Sequence, residues 1–172
     1  VWGPATASSV SVGGGADGAF SVSVESESAG DIHAVRISPD GTRALVLRGS
    51  DASAWVGVVE RGASGRPLAI RALEQIPLEH GSVVDASWTT STGIMLVVRA
   101  TGEDDQLVTW PLGGLPSNVS LPIRVTSMRA GGSSSAVVIS GTAASGKAQV
   151  LIRSGALWQN APESLTSARY AG

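Results

Sequence analysis

A block of 28 residues recurs three times along this 172-residue chain, as Ile32–Val59, Val83–Trp110 and Ile123–Val150. Few residues are identical between copies; the pattern is what repeats. An apolar residue opens each copy (Ile32, Val83, Ile123), another stands five positions on (Ile37, Trp88, Met128), and a turn-forming cluster follows. Each copy then enters a strand-like run, Ala44-Leu45-Val46-Leu47, Met95-Leu96-Val97-Val98 and Ser135-Ala136-Val137-Val138, and ends after a polar loop at Val59, Trp110 or Val150. Units of short apolar runs and turns, starting 51 and 40 residues apart, predict β-propeller blades, because such a unit cannot bury its faces without stacked neighbours.

The spacing extends upstream. Gly15-Ala16-Asp17-Gly18 lies 47 residues before Gly62-Ala63-Ser64-Gly65, between Val10-Ser11-Val12 and Phe20-Ser21-Val22-Ser23-Val24. Residues 1–30 therefore read as the outer strands of a partial blade, 31–77, 78–122 and 123–159 as three whole blades, and 160–172 as a C-terminal tail. The fold class is all-β, a propeller fragment of about three and a half four-stranded antiparallel blades. Propellers close with roughly four to eight blades, so the chain is expected to be a piece of a larger protein. Uncovered faces and edges invite pairing with another chain, and the fragment is expected to self-associate.

Composition narrows the function classes. A net charge of −2 with no basic stripe argues against nucleic acid, which needs clustered Lys and Arg to displace counterions. No apolar run approaches the roughly 18 to 20 residues that span a bilayer as a helix. With no Cys, neither disulfides nor thiolate metal sites arise from these residues. The 22 Gly and the lack of helical periodicity favour strands and turns.

The sharpest local motif is Ile37-Ser38-Pro39-Asp40-Gly41-Thr42-Arg43-Ala44-Leu45. Pro39 presets φ at the turn's second position, and Asp40 and Gly41 tolerate the bends that follow, so the motif predicts a hairpin between a blade's first two strands. Turns of this Ser-Pro-Asp-Gly type resemble those of TolB-related propellers. Read as a whole, Ile32–Leu47, the Trp-bearing blades, and Gly155-Ala156-Leu157-Trp158 running to Tyr170-Ala171-Gly172 resemble the C-terminal propeller of the actinobacterial lipoprotein family LpqB. The resemblance implies an envelope lipoprotein whose lipid-bearing N-terminal Cys and GerMN-type domain lie outside this chain. It further implies a non-catalytic, extracytoplasmic partner of the sensor histidine kinase MtrB, anchored to the outer face of the cytoplasmic membrane, with no cofactor.

Candidate chemistry is sparse. Gly13-Gly14-Gly15-Ala16-Asp17-Gly18 matches G-x-G-x-x-G, but that motif cradles a pyrophosphate only where it opens a helix, and Phe20–Val24 reads as a strand. His33 and His80 lack a second His or Cys at metal-ligand spacing. Either could pair with Asp31 or Asp85, yet no Ser stands in a G-x-S-x-G elbow to complete a triad. Glu103-Asp104-Asp105 lacks the spaced ligands of a calcium loop and reads as a solvated hairpin tip. Asn118-Val119-Ser120 fits the N-glycosylation pattern. No catalytic, cofactor or metal residue is assigned.

Of the five Trp, Trp88 and Trp110 align with apolar residues of the other copies. Trp55 aligns with Gln106 and Gly146, so the blade pattern does not demand an aromatic there. Trp is enriched at contact hot spots, which makes Trp55 the candidate protein-contact residue, against the alternative that it covers a neighbouring blade. Two other classes stay open. A small ligand or glycan would draw polar side chains together near His33, Arg36 and Asp85, and a hydrolase gated by this propeller would carry its catalytic domain elsewhere.

Overall fold

The computed structural model describes residues 7–12, 20–25, 32–49, 51–130, 137–154 and 157–161. They form fourteen strands: β1 (Ala7–Val12), β2 (Phe20–Glu25), β3 (Ile32–Ile37), β4 (Arg43–Arg48), β5 (Ala54–Arg61), β6 (Pro67–Gln75), β7 (Ser82–Trp88), β8 (Gly93–Arg99), β9 (Gln106–Pro111), β10 (Ser117–Ser120), β11 (Ile123–Ala130), β12 (Val137–Ala143), β13 (Ala148–Ser154) and β14 (Leu157–Asn160). No helix occurs among the described residues, and so none is long and apolar enough to cross a membrane. The chain is an all-β, partial propeller built as two compact units, Val1–Leu78 and Glu79–Gly172.

The first unit is one six-stranded sheet in the order β1-β2-β6-β5-β4-β3. Strands β3 to β6 are an antiparallel meander. The β1–β2 hairpin continues the sheet through a parallel ladder of two pairs, Ser23 with Ala69 and Val24 with Ile70. Val24, Ala44, Val46, Val59 and Ile70 form the buried core, with Ile32, Val35, Ile37, Trp55 and Leu73 packed against it.

The turn between β3 and β4 forms as its sequence predicts. Ser38 N–H donates to Arg43 O and Gly41 N–H to Ser38 O, both at 2.8 Å. Ser38 Oγ donates to Asp40 Oδ1 at 2.6 Å, and Thr42 N–H donates to the same oxygen at 3.1 Å. These bonds, led by that from Ser38, hold the Asp40 carboxyl below its ordinary value. Gly41 takes φ 72°, a left-handed geometry that glycine adopts without the Cβ clash. Arg61 ties this turn to the next, donating to Gly41 O at 2.8 Å and to Gly65 O at 2.7 Å.

The second unit contains two four-stranded meanders, β7 to β10 and β11 to β14. They share a core of Met95, Val97 and Leu107 from the first sheet, Ile123, Val125, Met128, Val137, Ile139 and Leu151 from the second, and Leu121 from the connection. Strands β4 and β8 are buried on both faces at Ala44–Leu47 and Ile94–Val98, which explains why they read as continuous apolar runs rather than alternating ones.

The copies do not superpose without gaps. Ile37 pairs with Ala44, Trp88 with Ile94 and Met128 with Ile139, so the connection that follows each first strand differs in length. The apolar position five residues into each copy is kept; everything after it slips in register. By pairing, Trp55 faces Val46 while Val108 faces Leu96, which makes Val108, not Gln106, the structural counterpart of Trp55. The first strand of each blade also carries a bulge, at Ile32/Ala34, Val83/Asp85 and Val125/Ser127. An unpaired residue there bends the strand and re-aims its neighbours.

Candidate functional site

Trp55 lies half-buried on β5, where its side chain packs against the first unit's core. Its indole Nε1–H donates to Ser53 Oγ at 2.7 Å, and Ser53 Oγ donates in turn to Asp51 Oδ1 at 2.6 Å. The Asp51 carboxyl also accepts from Ser53 N–H at 3.2 Å. The Ser53 hydroxyl is the chief reason that this carboxyl sits below its ordinary value. Above the indole, the Arg48 guanidinium stands 5.5 Å from the ring centroid, within cation–π range. Arg48 Nη1 is 3.8 Å from Asp51 Oδ2, and the arginine side chain is only 10% exposed. Ala52, between these residues, takes φ 47°, a left-handed conformation that costs a non-glycine residue about 1–2 kcal/mol.

In the second unit, two aspartates fasten one sheet to the other. Asp105 is 3% exposed. It receives both arms of Arg99, Nε to Oδ1 at 2.8 Å and Nη2 to Oδ2 at 2.7 Å, and it also accepts from Val125 N–H of β11 at 2.6 Å. Arg99 Nη2 then donates to Val125 O at 2.8 Å, so an arginine–carboxylate pair holds both backbone groups of the residue that precedes the β11 bulge. Burial pushes the Asp105 carboxyl up, but the hydrogen bonds from Arg99 and Val125 and the Arg99 charge outweigh it, leaving the group below its ordinary value. The bond to Asp105 correspondingly raises Arg99. Asp85, at the bulge of β7, accepts from Ala86 N–H at 2.9 Å and from Met128 N–H at 2.7 Å, with Arg129 Nη1 at 3.7 Å.

Beside the Asp105 clamp lies an open cleft of about 250 Å³, lined among others by Glu103, Asp104, Arg124 and Thr142. Glu103 and Asp104 are exposed, as expected of a solvated tip, whereas Asp105 departs from that expectation. The loop turns its last carboxylate inward, where Arg99 and the β11 backbone receive it.

The other sequence candidates stand on further strands and loops. His33 is exposed on β3, and Arg36 is half-buried on the same strand; His80 is exposed before β7. Asp31 and Gly13–Gly18 lie outside the described residues. Asn118 is exposed on β10, donating from Nδ2 to Gln106 Oε1 at 3.2 Å. Among the described residues no group of three or more His, Cys, Asp or Glu is placed to hold a metal ion.

Sequence reasoning missed Arg48, Arg99 and Asp105. A partial signal was present: Arg48 and Arg99 each close an apolar run ahead of an Asp-bearing loop, although the ladder sets Val98, not Arg99, at the place of Arg48.

A comparison with curated proteins found no match. Among family models, the one described as "Lipoprotein LpqB beta-propeller domain" matches residues 5–169. That span takes in all fourteen strands and both arginine-closed hairpins. The chain belongs to the LpqB lipoprotein β-propeller family.

Proposed function

We propose that this chain is the non-catalytic, protein-contact domain of an actinobacterial cell-envelope lipoprotein, and that it modulates a sensor histidine kinase of the MtrB type by binding the kinase's extracellular domain. The observation that carries this reading is the family match across residues 5–169. The disposition of charge supports it. The buried carboxylates of Asp85 and Asp105 engage backbone N–H groups of a neighbouring sheet, a role in holding a rigid surface. In the parent protein a lipid anchor outside this chain would keep the domain at the outer face of the cytoplasmic membrane.

The mechanism follows from linkage. A contact domain shifts a kinase between signalling states only by as much as its affinity for those states differs, and a tenfold preference corresponds to about 1.4 kcal/mol. No cofactor enters such a mechanism.

The test is a titration of the immobilised kinase ectodomain with the purified chain. Saturable binding that a free ectodomain competes away is the expected result. No binding at about 100 μM, where even a weak contact of roughly 5.5 kcal/mol registers, would overturn the kinase as partner.

A further inference from the structure

Strand β10 is an outer edge of its sheet, and no strand pairs with that edge among the described residues. Such edges are ordinarily guarded by charge, bulges or proline. The opposite edge of the same sheet, β7, has a bulge and Asp85; β11, an edge of the other sheet of this unit, has a bulge with Arg124 and Arg129. Strand β10 has neither device. Its ladder with β9 runs without a register shift, all of its residues are exposed, and no charged residue occurs from Pro111 to Ile123. Two of the four large apolar side chains left exposed among the described residues, Leu115 and Val119, lie in this stretch.

The backbone of β10 decides what can pair with it. Leu121 N–H donates to Asp105 O at 2.8 Å, and Val119 and Ser117 stand opposite Leu107 and Thr109. Alternation along an antiparallel ladder then turns the N–H and C=O of Ser117 and Val119 toward β9, and those of Asn118 and Ser120 outward. The next outward positions on either side are Pro116 and Pro122, which have no N–H to donate. A foreign strand laid along the edge would find donors only at Asn118 and Ser120, and its carbonyls opposite the prolines would go unpaired.

We propose that β10 is a homodimer seam, pairing antiparallel with β10 of a second copy about a two-fold axis at Val119. The prolines stand symmetrically about Val119, so this axis sets Asn118 against Ser120 of the second copy, and proline against proline. Moving the axis to Asn118 or Ser120 would put an outward amide opposite a proline. In the proposed register Asn118 and Ser120 exchange N–H···O=C bonds in both directions. Val119 and its copy become the non-hydrogen-bonded pair, with Cα atoms about 4.5 Å apart and side chains in contact. Nothing near the axis sets a charge against its like. The contact is isologous and closes at two copies. It is short, so the dimer forms only at high concentration, and it does not depend on the kinase as partner.

The chain has no Cys, so single introduced thiols report the register. Val119→Cys should bring two thiols together at the axis, within the roughly 4.4–6.8 Å Cα separation that a disulfide spans. Oxidation with glutathione disulfide should then give a covalent dimer, read by non-reducing gel and intact mass. Asn118→Cys alone and Ser120→Cys alone each stand two residues out of step with their own copies, and should cross-link about tenfold more slowly. Mixed together, those two chains should form the heterodimer. Val119→Lys sets like charges at the axis and should move the sedimentation distribution to monomer. The substituted positions are all exposed, and circular dichroism matching wild type shows that each variant keeps its fold. Equal cross-linking of the three single-Cys chains, no heterodimer from the mixture, or a Val119→Lys chain that associates as wild type does would overturn the proposal.

Discussion

A single carboxylate, Asp105, joins three things at once: the charge of Arg99, the N–H of Val125 and, through Arg99, the carbonyl of Val125. Removing it leaves a half-buried guanidinium and a buried amide unpaired, so Asp105→Ala is expected to cost about 3 kcal/mol, measured as a fall in the urea midpoint with unchanged slope. Asp85→Ala takes the acceptor from Met128 N–H and Ala86 N–H but leaves no buried bidentate guanidinium behind, and should cost less, about 1–3 kcal/mol. The pH dependence has a definite sign. Because the folded Asp105 carboxyl lies below its unfolded value near 3.8, its stabilisation is complete above that pH and is lost as pH falls through the lower folded value. Acid unfolding of wild type should therefore steepen below about pH 4, and Asp105→Asn should flatten that limb. Little of this was legible in the sequence. Glu103-Asp104-Asp105 reads as one polar tip because composition cannot tell which way each side chain turns. Asp85 was visible as an acid on a first strand, but its partner, Met128 N–H, is a backbone group 43 residues away that no motif encodes.

At the scale of elements, turns were more legible than register. Ser38-Pro39-Asp40-Gly41 specifies its own hairpin through local bonds, and local chemistry is what a sequence displays. Gly41→Ala would hold an alanine at φ 72° and press its Cβ onto Arg61 Nη2. A loss of about 1–2 kcal/mol is expected, and the Arg61 contact to the neighbouring turn should go with it; thermal unfolding of G41A beside R61A measures how far the two losses overlap. Apolar spacing located every blade's first strand, since Ile37, Trp88 and Met128 each pair into the strand that follows. It did not reveal that the intervening connections differ in length. A slip of this kind leaves β4 and β8 looking alike because both faces of each are buried, and the alternation that normally fixes register is missing. Ungapped spacing therefore aligns Trp55 with Gln106, whereas the ladder aligns it with Val108.

At the scale of the whole chain, the repeat pattern gave the fold class because stacked blades need nothing beyond periodic apolar runs and turns, while the contact chemistry stayed hidden in cross-strand pairs. The outer edge of β10 has no partner strand among the described residues; Leu115, just before the strand, and Val119, on it, are 89% and 55% exposed. Open edges of this sort pair with other chains, so the isolated chain is expected to self-associate; sedimentation velocity over a wide concentration range checks this, and Val119→Lys should shift the distribution toward monomer. The central claim is that this propeller acts by contact with a kinase ectodomain. Hydrogen exchange of the chain alone and with the ectodomain tests it most directly, because it reports both binding and its location. Slowed exchange confined to one contiguous set of the described strands, with the amides of Val125 and Met128 protected in both states, is the result expected. Unchanged exchange across all described strands at saturating ectodomain would contradict the account.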